Sequence, residues 1–411
     1  MSEAAQLGSR LRDAREKRGL SQQAAADALG LPRTAVTNIE AGSRSLSTAE
    51  LMKLANLYDR SAASFLDDEA AIVDDAHVIL LRAIEPASNG PVFRKAIDRV
   101  LELCRAGAAL RALLGQSFDE PLPDYAIRVT SAGDAIRQGD FVAQEERRRL
   151  GLGDAPIGNI AGLISGQGIW ATSCELPDDM SGLFLHDRRA GLAIIVNASD
   201  KHAAVRRRFS YAHEYGHALF DRAEPYRLTR HANADEMVEK RANAFAASFL
   251  MPKGGIESQL RQLNKGKPSR QAQIVYDVAG DASSVSEVRP RVGSQTITWQ
   301  DVGSIARHFG VSYESVVWRL RNLNYLGSTE TTALLAQKGN RLRLEDMLQL
   351  RTDEVGRPPD AQDRELRDQV VRLAIEAFRR EEISQGRLRE LAGKLDIQSS
   401  DLIELAESAR S

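Results

Sequence analysis

The sequence predicts a mainly α fold with a small α+β part: an N-terminal helix-turn-helix bundle, a helical linker, a central α+β domain and a C-terminal helical region. Three observations lead there. Apolar residues recur at intervals of three and four through most of the chain, as in helices with one buried stripe. Two short β-rich runs, GLFLHD at 182–187 and GLAIIVN at 191–197, are separated only by a short polar turn and read as a hairpin. Shortly after them a helical stretch carries His213-Glu214-Tyr215-Gly216-His217.

Five regions follow in order. Residues 1–67 hold short helical patterns, with Ser21, Pro32 and Ser47 where helix starts are expected. One helix should run from 21 to 30 and the next from 32 to about 40, closed by Gly42, and the turn Gly30-Leu31-Pro32 has the size a helix-turn-helix requires. Residues 68–120 stay helical. There Val92, Ile97, Val100, Leu101 and Leu103 form a stripe suited to packing within the chain or to a dimer contact. Residues 121–265 mix strands with long helices over about 203–221 and 234–250, the second stopping before Pro252. Residues 266–330 combine an insertion with a trailing helical block. The stretch 264–295, rich in Gly, Ser, Pro and charge, reads as a long loop, and 301–326 as two helices around a Gly-Val-Ser turn that pack on the central domain. Residues 331–411 close the chain as a helical region.

Composition narrows the function classes. Apolar content of 43% and charged content of 27% describe an ordinary globular protein, and aromatics at 5% leave the cores to aliphatic residues. A formal net charge of -2 excludes a nonspecific polyanion binder, so any DNA contact must be local. The two cysteines, Cys104 and Cys174, stand in no metal-binding or disulfide-framework spacing and suit reduced thiols in the cytoplasm. The N-terminus lacks an apolar signal core, and the best apolar run, 191–196, is far short of a membrane span, so no membrane partner is expected.

Residues four apart share a helix face, so His213 and His217 can offer two imidazole nitrogens to one ion. Glu214 lies about 100° round the helix and stays free to take a proton from a metal-bound water. Zinc requires a third protein ligand and an open fourth position. Glu239 is preferred because its helical register agrees with the small apolar face of AFAASFLMP, while Asp235, Glu236 and His231 compete. Asn243, four residues after Glu239, would accept a hydrogen bond from the free ring N–H of a ligating histidine. Tyr211, Tyr226 and His231 are candidates for an additional electrophile. The strand GLAIIVN is expected to serve as a substrate-binding edge.

RRRFSYAHEYGHALF, followed by VEKRANAFAASFLMP, resembles the ImmA/IrrE family of metallopeptidases over roughly residues 150–326, with 264–295 as a departure. The resemblance implies a zincin-like α+β metallopeptidase domain with Zn2+ held by His213, His217 and Glu239, Glu214 as base, and cleavage of a repressor-type protein. The segment SQQAAADALGLPRTAVTNIEAG, with Leu51 and Leu54 beyond it, resembles the Cro/Xre repressor family over about residues 7–66. That resemblance implies a double-stranded DNA operator as partner. Arg33, Thr34, Thr37 and Asn38 would face the major groove, and Gln22 and Arg44 would contact phosphates. Between residues 3 and 60 nine basic residues face seven acidic ones, so the domain is only slightly positive and a homodimer on a two-fold site is expected. The combined expectation is a regulator that binds DNA and hydrolyses a protein bond in a stress or phage-type response. The alternative is a transcription factor whose zinc domain senses a ligand or partner without cleaving it.

Overall fold

A short polar side chain or an αL glycine sets most helix ends in the first 60 residues. Ser21 accepts a hydrogen bond from the backbone N–H of Ala24 at 3.1 Å and opens one helix, which Gly30 closes with φ of 68°. The resulting elements are α1 (Glu3–Lys17), α2 (Gln22–Leu29), α3 (Arg33–Glu40) and α4 (Thr48–Tyr58). Their inward faces supply Leu11, Ala25, Ala26, Val36, Ile39, Leu54 and Tyr58 to one small core. Arg15 on α1 ties this core to the end of α3. Its Nε and Nη2 donate to Glu40 at 2.6 and 3.0 Å, and its Nη1 donates to the Leu20 carbonyl.

The computed structural model describes residues 3–58, 65, 90–116, 122–187, 189–199, 204–224, 226–230, 236–265, 271–276, 283–288, 295–340 and 364–409. The chain divides into two compact units, Met1–Pro86 with Asp187–Arg189, and Ala87–His186 with Ala190–Ser411. The helical pattern expected over 68–89 lies outside the described residues, as do the candidate ligands His231 and Asp235.

The second unit opens with α5 (Gly90–Leu113), α6 (Ala132–Arg149) and α7 (Ile160–Ser165). Strands β1 (Trp170–Cys174), β2 (Met180–Asp187) and β3 (Gly191–Asn197) follow, then α8 (Ala204–Phe220), β4 (Tyr226–Arg230) and α9 (Met237–Leu250). The sheet order is β1-β3-β2-β4, with β1 parallel to β3 and β2 antiparallel to β4. β2 and β3 are neighbours, as the hairpin expectation required. β3 is not a sheet edge, however, and cannot be the expected substrate-binding edge. Its unbroken apolar run, Ala193 to Val196 all buried, is the pattern of an interior strand covered on both faces. Among the described residues the edges are β1 and β4.

α8 packs on β3 and on α9, and α9 lies closely along α6. Gly139 permits that approach: a Cβ there would sit 2.4 Å from the Arg241 carbonyl oxygen. Beyond α9 come α10 (Lys253–Gln262), β5 (Gln271–Tyr276) and β6 (Ser283–Val288). β5 and β6 pair antiparallel from Gln271↔Val288 to Tyr276↔Ser283, which corrects the reading of 264–295 as loop. The Gly, Ser and charge content of that stretch hid a two-stranded pairing carried by the backbone.

α11 (Trp299–Phe309), α12 (Tyr313–Asn322) and α13 (Ser328–Ala336) are folded into the same core as the sheet and α8: Val302, Ile305, Phe309, Val316 and Leu320 are buried with Ile194, Tyr215 and Phe249. The stretches 121–265 and 266–330 therefore share one core. The chain ends in α14 (Arg364–Arg379), α15 (Gln385–Leu395) and α16 (Ser399–Ser408). α14 packs on α5 and β1, and α15 also touches α5. Ile97, Val100, Leu101 and Leu103 of α5 are buried there within the chain, which removes that stripe as a dimer surface. Cys104 and Cys174 are buried and form no disulfide. Among the described residues no helix is long and apolar enough to cross a membrane.

One ionic contact joins three of these helices. Asp140 on α6 accepts from Ser248 on α9 at 2.6 Å and from Arg319 on α12 at 2.8 Å. Burial pushes the Asp140 carboxyl up, but these donors outweigh it and hold it below the usual carboxylate range. A carboxyl with a depressed folded pKa adds stability above its unfolded value, near 4, and loses it as pH falls through the folded value. Denaturation midpoints measured downward from pH 5 should therefore fall more steeply for the wild type than for Asp140→Asn.

Candidate metal centre and DNA-facing helix

The second unit brings three ligand-type side chains together from two helices. His213 and His217 sit one turn apart on α8, and Glu239 lies in the first turn of α9. The two Nε2 atoms are 3.0 Å apart. Nε2 of His213 lies 3.1 Å from Glu239 Oε2, and Nε2 of His217 lies 3.4 Å from Oε1. Tetrahedral zinc with bonds near 2.05 Å would separate its ligand atoms by about 3.3 Å, so the spacing fits such an ion.

The outer nitrogens fix the tautomers. Nδ1 of His213 lies 3.0 Å from Asn243 Oδ1, and Nδ1 of His217 lies 2.7 Å from Asp221 Oδ2. Each acceptor calls for an Nδ1–H donor, which leaves the Nε2 lone pairs turned towards one another and towards Glu239. Two inward lone pairs and a carboxylate form a donor set that needs a proton or a cation between them. Burial opposes ionisation of Glu239, but the two imidazoles dominate and hold its carboxyl well below the usual carboxylate range. Burial also opposes a charge on His217, yet its hydrogen bonds to Asp221 and Glu239 push it up to about 9. Both shifts reflect a pocket that favours positive charge at its centre.

Glu214 stands apart from this set. It is fully buried, and among the described residues no hydrogen bond of normal geometry reaches either of its carboxylate oxygens. Burial raises its affinity for a proton, against the pull of the two histidines and the nearby Thr229 hydroxyl. Gly182 makes room for it: a Cβ on that β2 residue would lie 2.7 Å from Glu214 Oε1. Thr229 is the β4 partner of Gly182. Arg227, on the same side of β4, donates from Nε to Glu239 Oε1 at 3.1 Å and from Nη2 to Glu236 at 2.8 Å.

Of the competing candidates, those among the described residues fall elsewhere. Glu236 is the exposed residue preceding α9 and is paired with Arg227. Tyr211 is buried with Ser173 as a polar neighbour, and burial pushes its hydroxyl pKa up. Tyr226 alternates to the face of β4 opposite Arg227 and Thr229. Sequence reasoning missed Asp221, Arg227, Thr229 and Gly182. Asp221 was findable, since it follows His217 by four residues. The other three depend on sheet register. A cleft of about 750 Å³, lined by Ile127, Val129, Phe220, Asp221, Met237 and Arg241 among others, opens nearby. None of His213, Glu214, His217 and Glu239 lines it.

In the first unit, Arg33, Thr34, Thr37 and Asn38 are exposed on α3 while Val36 and Ile39 are buried, so the four polar residues share the outer face. Gln22 and Arg44 are engaged within the unit. Gln22 donates to Glu40 at 2.9 Å and accepts from Thr37 at 3.2 Å, and Arg44 donates to Glu50 at 2.8 Å. A phosphate would have to compete with those partners.

These two arrangements define a helix-turn-helix segment joined to a metallopeptidase-like segment. Residues 11–65 match the helix-turn-helix family model, and residues 165–272 match the model of the IrrE N-terminal-like domain. The chain is also similar to the HTH-type transcriptional regulator PrpR of Mycobacterium tuberculosis (strain ATCC 25618 / H37Rv), with 31% identity over 126 residues. That match covers 30% of this chain and 26% of the relative, so it spans about a quarter of the relative's length.

Gly182→Ala should displace the Glu214 carboxylate without disturbing the ligand set. A crystal structure of the variant with metal bound should show Glu214 moved and the three ligands in place, and an unmoved Glu214 would contradict the steric argument. In the first unit, Arg15→Ala leaves the buried Glu40 charge with only the neutral Gln22 amide as donor and should cost roughly 3–5 kcal/mol. Denaturation of the N-terminal unit in the full chain, followed by chemical denaturant, measures it.

Proposed function

We propose that this chain is a DNA-binding transcription regulator whose second unit is a zinc-dependent peptidase acting on a repressor-type protein. His213, His217 and Glu239 are the metal ligands in this reading, Glu214 is the proton acceptor, and Asn243 orients His213. The observation that carries it is the convergence of two Nε2 atoms and one carboxylate beside a second, fully buried carboxylate that no hydrogen bond of normal geometry reaches among the described residues.

Zinc held by these residues would supply Lewis acidity and a bound water acidified from about 15.7 towards 7. Glu214 takes the proton on a carboxylate oxygen and later returns it to the leaving amine. Exclusion of water strengthens that exchange, because the carboxylate has no solvent to share its charge. Asn243 and Asp221 hold both imidazoles as Nδ1–H tautomers, and Arg227 donates to Oε1 of Glu239, the oxygen nearer His217. β4 is a sheet edge beside the centre, and an extended peptide can add to such an edge as a further strand.

For the first unit, α3 is read as the major-groove helix, with Arg33, Thr34, Thr37 and Asn38 towards the bases. Gln22 and Arg44 are read as phosphate contacts once released from Glu40 and Glu50. A two-fold operator and a homodimer follow from the same mode of binding. Two buried cysteines that form no disulfide agree with a reducing, cytoplasmic setting. The relative's name as a transcriptional regulator accords with a regulatory role.

One observation favours a second reading, a metal-dependent sensor without hydrolysis. His213, Glu214, His217 and Glu239 are each 4% exposed or less, which gives a substrate little access.

The full chain should bind one zinc per molecule, and Glu214→Gln should keep the zinc while lowering cleavage of a repressor protein by about 10²–10⁴-fold. Absence of stoichiometric zinc, or cleavage unchanged in Glu214→Gln, would sink the peptidase reading. Regulation in cells that survives Glu214→Gln but not His217→Ala would select the sensor.

A further inference from the structure

The two histidines have unequal outer partners. His213 faces a neutral amide oxygen, that of Asn243, whereas His217 faces the Asp221 carboxylate at 2.7 Å. A carboxylate on Nδ1 makes the opposite nitrogen a stronger donor and pins the ring's orientation more firmly than an amide does.

The placing of Asp221 is costly for the fold. It is the first residue after α8, with its own N–H still bonded to the His217 carbonyl at 2.8 Å. A negative charge there faces the negative end of the helix dipole. Its side chain is also largely buried. Arg241 offsets both penalties. Its Nη2 donates to the second Asp221 oxygen, Oδ1, at 2.7 Å, its Nη1 donates to the Ile127 carbonyl at 2.6 Å, and its guanidinium lies 4.3 Å from the Phe220 ring centroid. Arg241 is itself buried, at 2% exposed.

α9 thus addresses both histidines. Asn243 reaches His213 directly, and Arg241 reaches His217 through Asp221. We infer that Asp221 and Arg241 are positioning residues for the metal centre, a relay from Ile127 through Arg241 and Asp221 to His217 that sets how tightly the centre retains its ion. The inference rests on the metal-ligand reading above, and it assigns to His217, more than to His213, control of metal retention.

The test uses the full chain. Zinc affinity is measured by chelator competition for wild type, Asp221→Asn, Asp221→Ala and Arg241→Lys. The Asn variant keeps an acceptor for the Nδ1 proton but loses the charge, and should bind zinc about 10–100-fold more weakly. Asp221→Ala, which loses both, should be weaker again. Arg241→Lys, which keeps the charge but not the fork, should fall between wild type and Asp221→Asn. Melting of the metal-free chains is followed alongside. A loss of affinity with an unchanged metal-free melt supports positioning, and affinities within threefold of wild type, or losses that simply track unfolding, overturn it. A second arm needs no metal. Nitrogen-detected imidazole spectra of the metal-free chain should show a strongly deshielded His217 Nδ1 proton that disappears in Asp221→Ala and persists, shifted, in Asp221→Asn. Identical spectra in wild type and Asp221→Ala overturn the relay. A wild type that binds no zinc would instead contradict the peptidase reading, leaving the spectra to judge the relay.

Discussion

Two imidazole nitrogens that face each other in a dry pocket, with a carboxylate closing the triangle, are the constraint on which the second unit is built. Inward lone pairs repel unless a positive charge sits between them. Everything around the triangle keeps them there: Asn243 and Asp221 occupy the outer nitrogens, Arg227 holds Oε1 of Glu239 beside His217, and the close approach of α6 to α9 at Gly139 fixes the helix that carries Glu239. The same burial that makes the triangle unstable when empty makes it selective for a cation. It also isolates Glu214, whose carboxylate has room only because Gly182 has no side chain.

Much of this was legible in the chain. His213 and His217 at helical spacing, Glu239 and Asn243 on one face of the next helix, and the caps at Ser21 and Gly30 are local features, and local periodicity reports them directly. The hairpin of 182–197 was legible for the same reason. What escaped was non-local. The position of β3 inside the sheet depends on the crossover pairing with β1, and only its unbroken apolar run hinted at it. Arg227, Thr229 and Gly182 enter the site through strand register, which no single strand encodes. The burial of α5 against α14 joins residues more than 250 positions apart, so an apolar stripe by itself could not distinguish it from a dimer face. The β5–β6 pairing was masked by a composition typical of loops.

The two units use buried charge in different ways. In the first, Arg15 and Glu40 satisfy each other through two hydrogen bonds, so the pair fixes geometry at the end of α3 and leaves no unmet demand. That leaves the outer face of α3 to present Arg33, Thr34, Thr37 and Asn38. In the second, two imidazoles and a carboxylate meet without a positive charge between them. One chain thereby carries an exposed polar helix face in one unit and a buried His-His-Glu cluster in the other.

The ion itself offers the most direct measurement. X-ray absorption at the zinc edge, on the full chain loaded with one equivalent, should give two imidazoles, one carboxylate and one further light atom at about 2.0–2.1 Å. A shell with sulfur near 2.3 Å, or with fewer than two imidazoles, would contradict the centre described above.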